Sequence, residues 1–208
     1  IKASEKTYDE LRGLNMGENF KDARGNYPYR GLRGSDIPDD LRVVLLDDVL
    51  DFLSPHSHLS FIIEIKDGGD QGRKAMDILY SKLAQFGILN RAIVGTFNQE
   101  ISDYMDARYP SVIRSAGIKE VFEFYLCSVF NVDLSKKDIR YKVLQIPYDS
   151  FGLNFGKKSI IDYAHKYDLA VQYWTINKAK DIEYLVKIGA DAIITDAPDV
   201  AYRIIYSR

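Results

Sequence analysis

The stretch SFIIEIKDGG, residues 60–69, combines the pattern of a buried strand with two charged residues. Phe61 and Ile65 belong to the hydrophobic alternation that is typical of a strand packed on one face. Glu64 and Lys66 lie two residues apart on the opposite face, just before the turn signal DGGD. A buried carboxylate or ammonium without a partner costs several kcal/mol, so we expect a bound ligand or an ion pair to compensate these charges.

From Asp39 onward, segments with helical periodicity alternate with short hydrophobic strands, a rhythm that favours parallel βα units. Six strands are predicted, at residues 60–65, 91–97, 111–116, 142–148, 169–176 and 191–196. Seven helices are predicted, at residues 41–53, 71–86, 99–108, 118–129, 157–167, 179–188 and 198–206. The segment before Asp39 is rich in Gly, Tyr, Arg and Asn and has little periodicity, which predicts a long loop or a small cap.

Two architectures accommodate this alternation, an open doubly wound sheet and a closed TIM-type (β/α)8 barrel. Central strands of the open sheet are hydrophobic on both faces, whereas here Glu64, Gln145 and Gln172 place polar groups on one face. A barrel accepts polar groups there because its strand ends point into a solvent-accessible mouth. We therefore predict an α/β TIM-type barrel with about six of its eight strands present. We predict that residues 39–208 form about three quarters of this single domain and that residues 1–38 form a long loop or small cap.

Composition argues against several classes of function. The chain has 28 Lys plus Arg against 30 Asp plus Glu, so its net charge of -2 gives no reason to expect a nucleic acid or anionic membrane as partner. No hydrophobic run approaches the roughly 20 residues that cross a bilayer. The single Cys127 excludes an intrachain disulfide and a cysteine zinc site, and we interpret it as a small buried hydrophobic residue. The sequence does not indicate an oligomeric state.

Candidate site residues lie at the predicted carboxyl ends of strands, where the catalytic groups of a barrel gather. Glu64 is a candidate ligand for a divalent cation and Lys66 a candidate contact for an anionic substrate, with a simple ion pair between them as the alternative. Trp174 is a candidate floor of a substrate pocket, and core packing is its alternative. Phe97 is a candidate pocket wall.

The remaining polar residues at predicted element ends have structural interpretations. Three of them follow strands and are candidates for capping the next helix, Asn98, Asn177 and Asp196; for Asn177, a role as a ligand is the equal alternative. The histidines fall before strands, so we expect them at the amino-terminal face, away from the proposed site; they are His56, His58 and His165.

Seven segments, in order between about Thr7 and Arg203, resemble the glycerophosphodiester phosphodiesterase family. They are TYDELRGL, IPDDLRVVLLDDVLDFL, SFIIEIK, AIVGTFNQE, LQIP, AVQYWTIN and IGADAIITDAPD. The W-T-x-N strand followed by a G-x-D-x-I-x-T-D strand, with the E-x-K strand upstream, is specific in combination, whereas no single motif would suffice.

The resemblance implies a barrel that hydrolyses small-molecule glycerophosphodiesters, such as glycerophosphocholine, to an alcohol and glycerol 3-phosphate. It also implies a divalent cation, Ca²⁺ or Mg²⁺, held by three carboxylates, with two histidines as general acid and base. Glu64 matches the third carboxylate ligand, Lys66 a lysine that contacts phosphate, and Trp174 an aromatic residue near the substrate. The chemistry is coherent, because hard oxygen ligands suit these cations and the metal stabilises charge on phosphoryl oxygens.

The family's H-R-G strand, its E-x-D ligand pair and its H-D motif are absent from this sequence. They would precede Ile1, and their absence accounts for the count of six strands and for the lack of a histidine at the mouth. Either the sequence is part of a longer enzyme, which we favour because an incomplete barrel exposes strand edges, or it is a truncated relative without catalysis. We expect the chain alone to be inactive. The alternatives are a noncatalytic module that binds a phosphate ligand or a protein, and a related barrel phospholipase.

Overall fold

The structure, a computed structural model, describes residues 2–22, 24–150 and 152–206. The chain divides into two compact units, Ile1–His56 and Ser57–Arg208. The second unit contains all six predicted strands and all four candidate site residues. The boundary after residue 38, and the role of the preceding segment as a cap, stay predictions.

The first unit is mostly irregular, in keeping with its low periodicity. It contains helix α1, Tyr8–Arg12, and helix α2, Leu46–Leu53. Helix α1 begins where the Thr7 hydroxyl accepts the Glu10 N–H at 3.3 Å, while the Glu10 carboxylate accepts the Thr7 N–H at 2.8 Å. Helix α2 is shorter than the predicted 41–53. A 3-10 turn forms at Asp39–Leu41, and the α-helix begins only at Leu46.

All six predicted strands form in the second unit. They are β1, Phe61–Ile65; β2, Ala92–Thr96; β3, Ile113–Arg114; β4, Val143–Pro147; β7, Ala170–Trp174; and β8, Ala192–Ile193. A small antiparallel hairpin, β5 (Asp149–Ser150) with β6 (Leu153–Asn154), lies between β4 and β7. The hydrophobic pattern does not predict this hairpin, because each of its strands has only two residues.

The six predicted strands, all except those of the hairpin, form one parallel row. Strands β1, β2 and β3 pair in that order, and β4, β7 and β8 pair in a second sheet. A parallel bridge between Ser115 and Val143 joins the two sheets. The Ala116 N–H donates to the Val143 carbonyl at 2.8 Å, and the Lys142 N–H donates to the Arg114 carbonyl at 3.1 Å. Within the described ranges the row does not close, since β1 and β8 are its two ends. The strands thus form an arc of the predicted barrel.

The helices alternate with the strands as predicted. They are α3, Gly69–Gln85; α4, Gln99–Arg108; α5, Ile118–Val129; α6, Lys158–His165; α7, Ala179–Ile188; and α8, Pro198–Tyr206. Residues such as Met76, Val94 and Ile101 are fully buried between helices and strands, and Cys127 is buried as expected. None of the helices in the described ranges is long and hydrophobic enough to cross a membrane.

A buried arginine joins β3 to two helices. The side chain of Arg114 is 2% exposed and donates to Asp106 of α4 at 2.6 and 2.7 Å, and to Glu120 of α5 at 2.8 Å twice. Desolvation opposes its charge, but the hydrogen bonds to both carboxylates outweigh that effect and raise the pKa of Arg114 above its usual value. Glu120 also accepts the Gly117 N–H at 2.7 Å, which fixes the start of α5.

Replacing Arg114 by Met should lower the free energy of unfolding by about 3 kcal/mol, because Asp106 and Glu120 lose their shared counter-charge. Urea denaturation followed by circular dichroism measures the loss. The matched control is Arg203→Met, which removes an exposed ion pair with Asp199 at 2.9 Å and should cost less than about 1 kcal/mol. Equal losses in the two variants would show that the Arg114 cluster adds nothing beyond a surface ion pair.

Candidate active site

The carboxyl ends of the parallel strands surround a cavity of about 400 Å³. All four candidate site residues line it, Glu64, Lys66, Phe97 and Trp174. They come from the ends of β1, β2 and β7, so the fold brings together residues that are far apart in sequence. Their positions are those of the catalytic groups in a barrel, at the carboxyl-terminal face.

Glu64 and Lys66 form an ion pair that is open to solvent. The Lys66 Nζ donates to Glu64 Oε2 at 3.0 Å. The Lys66 side chain is 79% exposed and the Glu64 side chain is 35% exposed. The expectation that burial makes these charges costly is therefore wrong. Ile62, on the same face of β1, is exposed as well, because the described residues leave this inner edge of the arc uncovered. An exposed ion pair contributes only about 0–1 kcal/mol, so stability does not explain why both charges stand here.

A close-packed polar layer lies beside the ion pair. The Gln145 Nε2 donates to Gln172 Oε1 at 2.9 Å between the adjacent strands β4 and β7. Gly95, in register with Glu64, leaves room for this layer, because an added Cβ would lie 3.0 Å from Gln145 Oε1 and 3.1 Å from Ser115 Oγ. The polar face predicted from the sequence is thus present. Its dependence on a glycine in the neighbouring strand is visible only in the packing.

The Asn98 side chain fixes the loop that carries Lys66. Its Nδ2 donates to the Lys66 carbonyl at 3.0 Å, while its own backbone N–H donates to Thr96 Oγ1 at 3.1 Å. Asn98 stands at the start of α4 but makes no capping hydrogen bond through its side chain, so the capping interpretation is wrong. Asn98 therefore positions the backbone of Lys66, a role that local spacing does not reveal.

Asn177 makes a similar connection between the loops after β7 and β8. Its Nδ2 donates to Asp196 Oδ2 at 2.9 Å, and its Oδ1 accepts from the Thr195 hydroxyl at 3.0 Å and from the Asp196 N–H at 2.8 Å. Helix α7 follows Lys178, and its start has no side-chain cap, so Asn177 is not a helix cap. The Asp196 carboxylate contacts the neighbouring loop in the same network.

The two histidines of the second unit, His58 and His165, lie toward the opposite end of the strands, as predicted. The His165 Nε2 lies 2.8 Å from Asp191 Oδ2, and Asp191 also accepts the Val171 N–H at 2.7 Å. Asp191 and Val171 are at the beginnings of β8 and β7, which places His165 at the amino-terminal face. His58 precedes β1 and belongs to the same face, whereas His56 belongs to the first unit.

The described residues do not by themselves form the expected metal centre. Across residues 2–22, 24–150 and 152–206, no group of three or more His, Cys, Asp or Glu could hold a metal ion. Glu64 offers one carboxylate, which is the ligand type that Ca²⁺ and Mg²⁺ prefer. A complete centre would need further ligands beyond these residues.

Comparison with known proteins identifies the family. The sequence profile of the glycerophosphoryl diester phosphodiesterase family matches residues 2–200. The chain belongs to this family. Among curated relatives of this family member, a glycerophosphodiester phosphodiesterase of Bacillus altitudinis is 22% identical over 198 residues, which cover 92% of the chain and 77% of that protein. An uncharacterized protein of Bacillus subtilis is 24% identical over 166 residues, which cover 78% of the chain and 62% of that protein.

Solved structures of the glycerophosphoryl diester phosphodiesterase family share the fold. The phosphodiesterase domain of a Mycobacterium tuberculosis protein matches with a TM-score of 0.73 at 15% identity, covering 100% of this chain and 77% of that one. A glycerophosphodiester phosphodiesterase of Parabacteroides distasonis matches with a TM-score of 0.61 at 17% identity, covering 97% and 71%. The TIM-type barrel class and the family resemblance predicted from the sequence are confirmed.

Replacing Lys66 by Gln should change the free energy of unfolding by less than about 1 kcal/mol, because its ion pair with Glu64 is exposed. Urea denaturation measures the change, with Arg114→Met as the reference for a buried pair. A loss as large as that of the Arg114 variant would mean that the Glu64–Lys66 pair is buried in solution.

Proposed function

We propose that the protein cleaves glycerophosphodiesters such as glycerophosphocholine, releasing an alcohol and glycerol 3-phosphate, at the cavity that holds Glu64 and Lys66. One observation carries this proposal. In a chain of the glycerophosphoryl diester phosphodiesterase family, an acid, an amine and two aromatic side chains converge on one cavity at the carboxyl ends of the strands.

Lys66 is suited to bind the phosphate group. Its ammonium group has three N–H donors, and within the part of the chain that the structure describes it donates to Glu64 at 3.0 Å. A phosphodiester that enters the cavity can accept from the remaining donors without a large desolvation cost, since the ammonium group stays close to water. Asn98 holds the Lys66 carbonyl, which limits the positions from which the amine reaches the phosphoryl oxygens.

An aromatic pair lies next to these charges. The Phe97 and Trp174 rings meet edge to face with centroids 6.0 Å apart and planes at 68°. Such faces attract quaternary ammonium groups like the choline of glycerophosphocholine. We therefore propose that Lys66 binds the phosphate group and that the aromatic pair contacts the groups esterified to it. These two contacts would orient the substrate in the cavity.

We also propose that hydrolysis requires Ca²⁺ or Mg²⁺, with Glu64 as one of the oxygen ligands. When bound, the cation supplies charge stabilisation at the phosphoryl oxygens. Among the described residues no cluster completes such a centre, and His165 is paired with Asp191 at the other end of the strands. Turnover therefore requires further carboxylates and proton-transferring groups, and we expect the chain alone to bind substrate without cleaving it.

Replacing Glu64 by Gln in the natural protein should abolish release of glycerol 3-phosphate from glycerophosphocholine, and excess chelator should do the same. Lys66→Gln should lower kcat/KM by roughly 10²–10³-fold, since it removes a charged donor at the phosphate. A coupled enzymatic assay for glycerol 3-phosphate measures both effects. The matched control is Glu183→Gln on an exposed face of α7, which should retain full activity. Unchanged activity in chelator would exclude the metal requirement, and unchanged activity of Glu64→Gln would exclude this site.

Noncatalytic binding of a phosphate-bearing ligand at the same cavity is the second candidate function. Two observations favour it. Lys66, Phe97 and Trp174 line one cavity, whereas the described residues contain no cluster that could hold a metal ion. Calorimetric binding of glycerophosphocholine by the natural protein, with no release of glycerol 3-phosphate in Ca²⁺ or Mg²⁺, would support this candidate over hydrolysis.

A further inference from the structure

The start of α4 holds both ends of the loop that follows β1. At one end, the Asn98 Nδ2 donates to the Lys66 carbonyl at 3.0 Å. At the other end, the Gly69 N–H donates to the Glu100 carboxylate. Asn98 and Glu100 are only two residues apart, at the N-cap and in the first turn of α4. One helical turn therefore clamps the loop on both sides of the residues that separate Lys66 from α3.

Helix α3 receives a cap from Glu100 because its own first residues cannot provide one. Its N-cap is Gly68 and its first residue is Gly69, so neither position has a side chain that could accept a hydrogen bond. A carboxylate at the amino end of a helix pairs an otherwise unsatisfied N–H and interacts favourably with the helix dipole. Glu100 supplies this carboxylate from the next βα unit.

Close packing fixes the Glu100 carboxylate in this position. A Cβ added at Gly68 would lie 2.7 Å from Glu100 Oε1 and 3.0 Å from Asn98 Oδ1, so only glycine lets the loop approach these side chains. The other carboxylate oxygen faces Arg73 of α3, whose Nη1 lies 3.8 Å from Glu100 Oε2. Two groups of α3 thus hold the same carboxylate.

Glu100 itself lies outside the Glu64–Lys66 cavity. It is not among the described residues that line this cavity, its side chain is 52% exposed, and its hydrogen bond and ion pair both lead to α3. Glu100 can therefore affect a bound phosphate only through its charge or through the backbone that carries Lys66. The charge would repel a phosphate, so a favourable effect of Glu100 has to come from the backbone.

We propose that Glu100 is a positioning residue for Lys66, which it serves by clamping the loop between Lys66 and α3. The identity of the ligand as a phosphodiester rests on the proposed function, whereas the clamp rests on the contacts of Glu100. A lysine side chain loses rotamer freedom when it binds a phosphate, and a fixed backbone reduces the number of arrangements that must be excluded.

Two substitutions at position 100 separate the hydrogen bond from the charge. Glu100→Ala removes the acceptor and should lower kcat/KM for release of glycerol 3-phosphate from glycerophosphocholine by roughly tenfold in the natural protein. Glu100→Gln keeps an oxygen that can accept the Gly69 N–H and should retain most of the activity. A rise in kcat/KM in Glu100→Ala, or an equal loss in both variants, would overturn the proposal.

A double-mutant cycle shows whether Glu100 acts through Lys66. In a Lys66→Gln background the positioned amine is gone, so Glu100→Ala should change kcat/KM by less than about twofold. A tenfold loss in both backgrounds would mean that Glu100 supports the fold in general and would overturn the proposal. The matched control is Asp103→Ala, which removes an exposed carboxylate of the same helix that accepts from Gln99 at 2.9 Å and should retain full activity.

Hydrogen exchange of the Gly69 amide, measured by NMR, tests the clamp without any ligand. This amide should exchange roughly tenfold faster in Glu100→Ala than in the unaltered protein, because its acceptor is lost, while amides within β1 keep their rates. An unchanged exchange rate at Gly69 would show that Glu100 does not hold the loop in solution.

The outcomes distinguish failure of this proposal from failure of the proposed function. Release of glycerol 3-phosphate with independent effects of the two substitutions overturns the role of Glu100 and leaves the proposed function intact. If the unaltered natural protein releases none, the proposed hydrolysis is contradicted, and calorimetric affinity for glycerophosphocholine replaces kcat/KM in the same cycle. Affinity losses that disappear in the Lys66→Gln background then support positioning by Glu100, and absence of binding overturns it as well.

Discussion

The candidate site depends on the contact between β3 and β4, because this is where the two three-stranded sheets join. Glu64, Lys66 and Phe97 stand on one sheet and Trp174 on the other. The backbone hydrogen bonds from Ala116 and Lys142 continue the parallel row across this contact. Beside it, Arg114 fixes β3 to both flanking helices, so the geometry of the site is set by interactions that face away from it.

Two ion pairs in the second unit show how burial decides what a charge does. Arg114 is enclosed, and its carboxylate partners hold it in one position, which makes it part of the scaffold. Lys66 is solvated and pairs with a single carboxylate at an open edge, so it can exchange that partner for a ligand at little cost in free energy. The same chemistry thus supports the fold in one place and is available for binding in the other.

Much of the fold could be predicted from local pattern, because strand alternation and helical periodicity are properties of short segments. The polar inner face of β4 and β7 was also visible, since Gln145 and Gln172 interrupt hydrophobic runs. Burial of Glu64 could not be predicted, because it depends on what covers the inner face of β1 and not on the strand itself. The side-chain contacts of Asn98 and Asn177 could not be predicted for a related reason, because their partners belong to other βα units.

The aromatic pair has an evolutionary consequence, because it lies between two cavities. Phe97 and Trp174 separate a cavity lined by charged side chains from one lined mostly by hydrophobic side chains, and α5 contributes side chains only to the second. Mutations on α5 can therefore widen, narrow or fill the hydrophobic cavity while the surroundings of Glu64 and Lys66 stay the same. Such an arrangement lets the size of one cavity change in evolution without rebuilding the polar groups of the other.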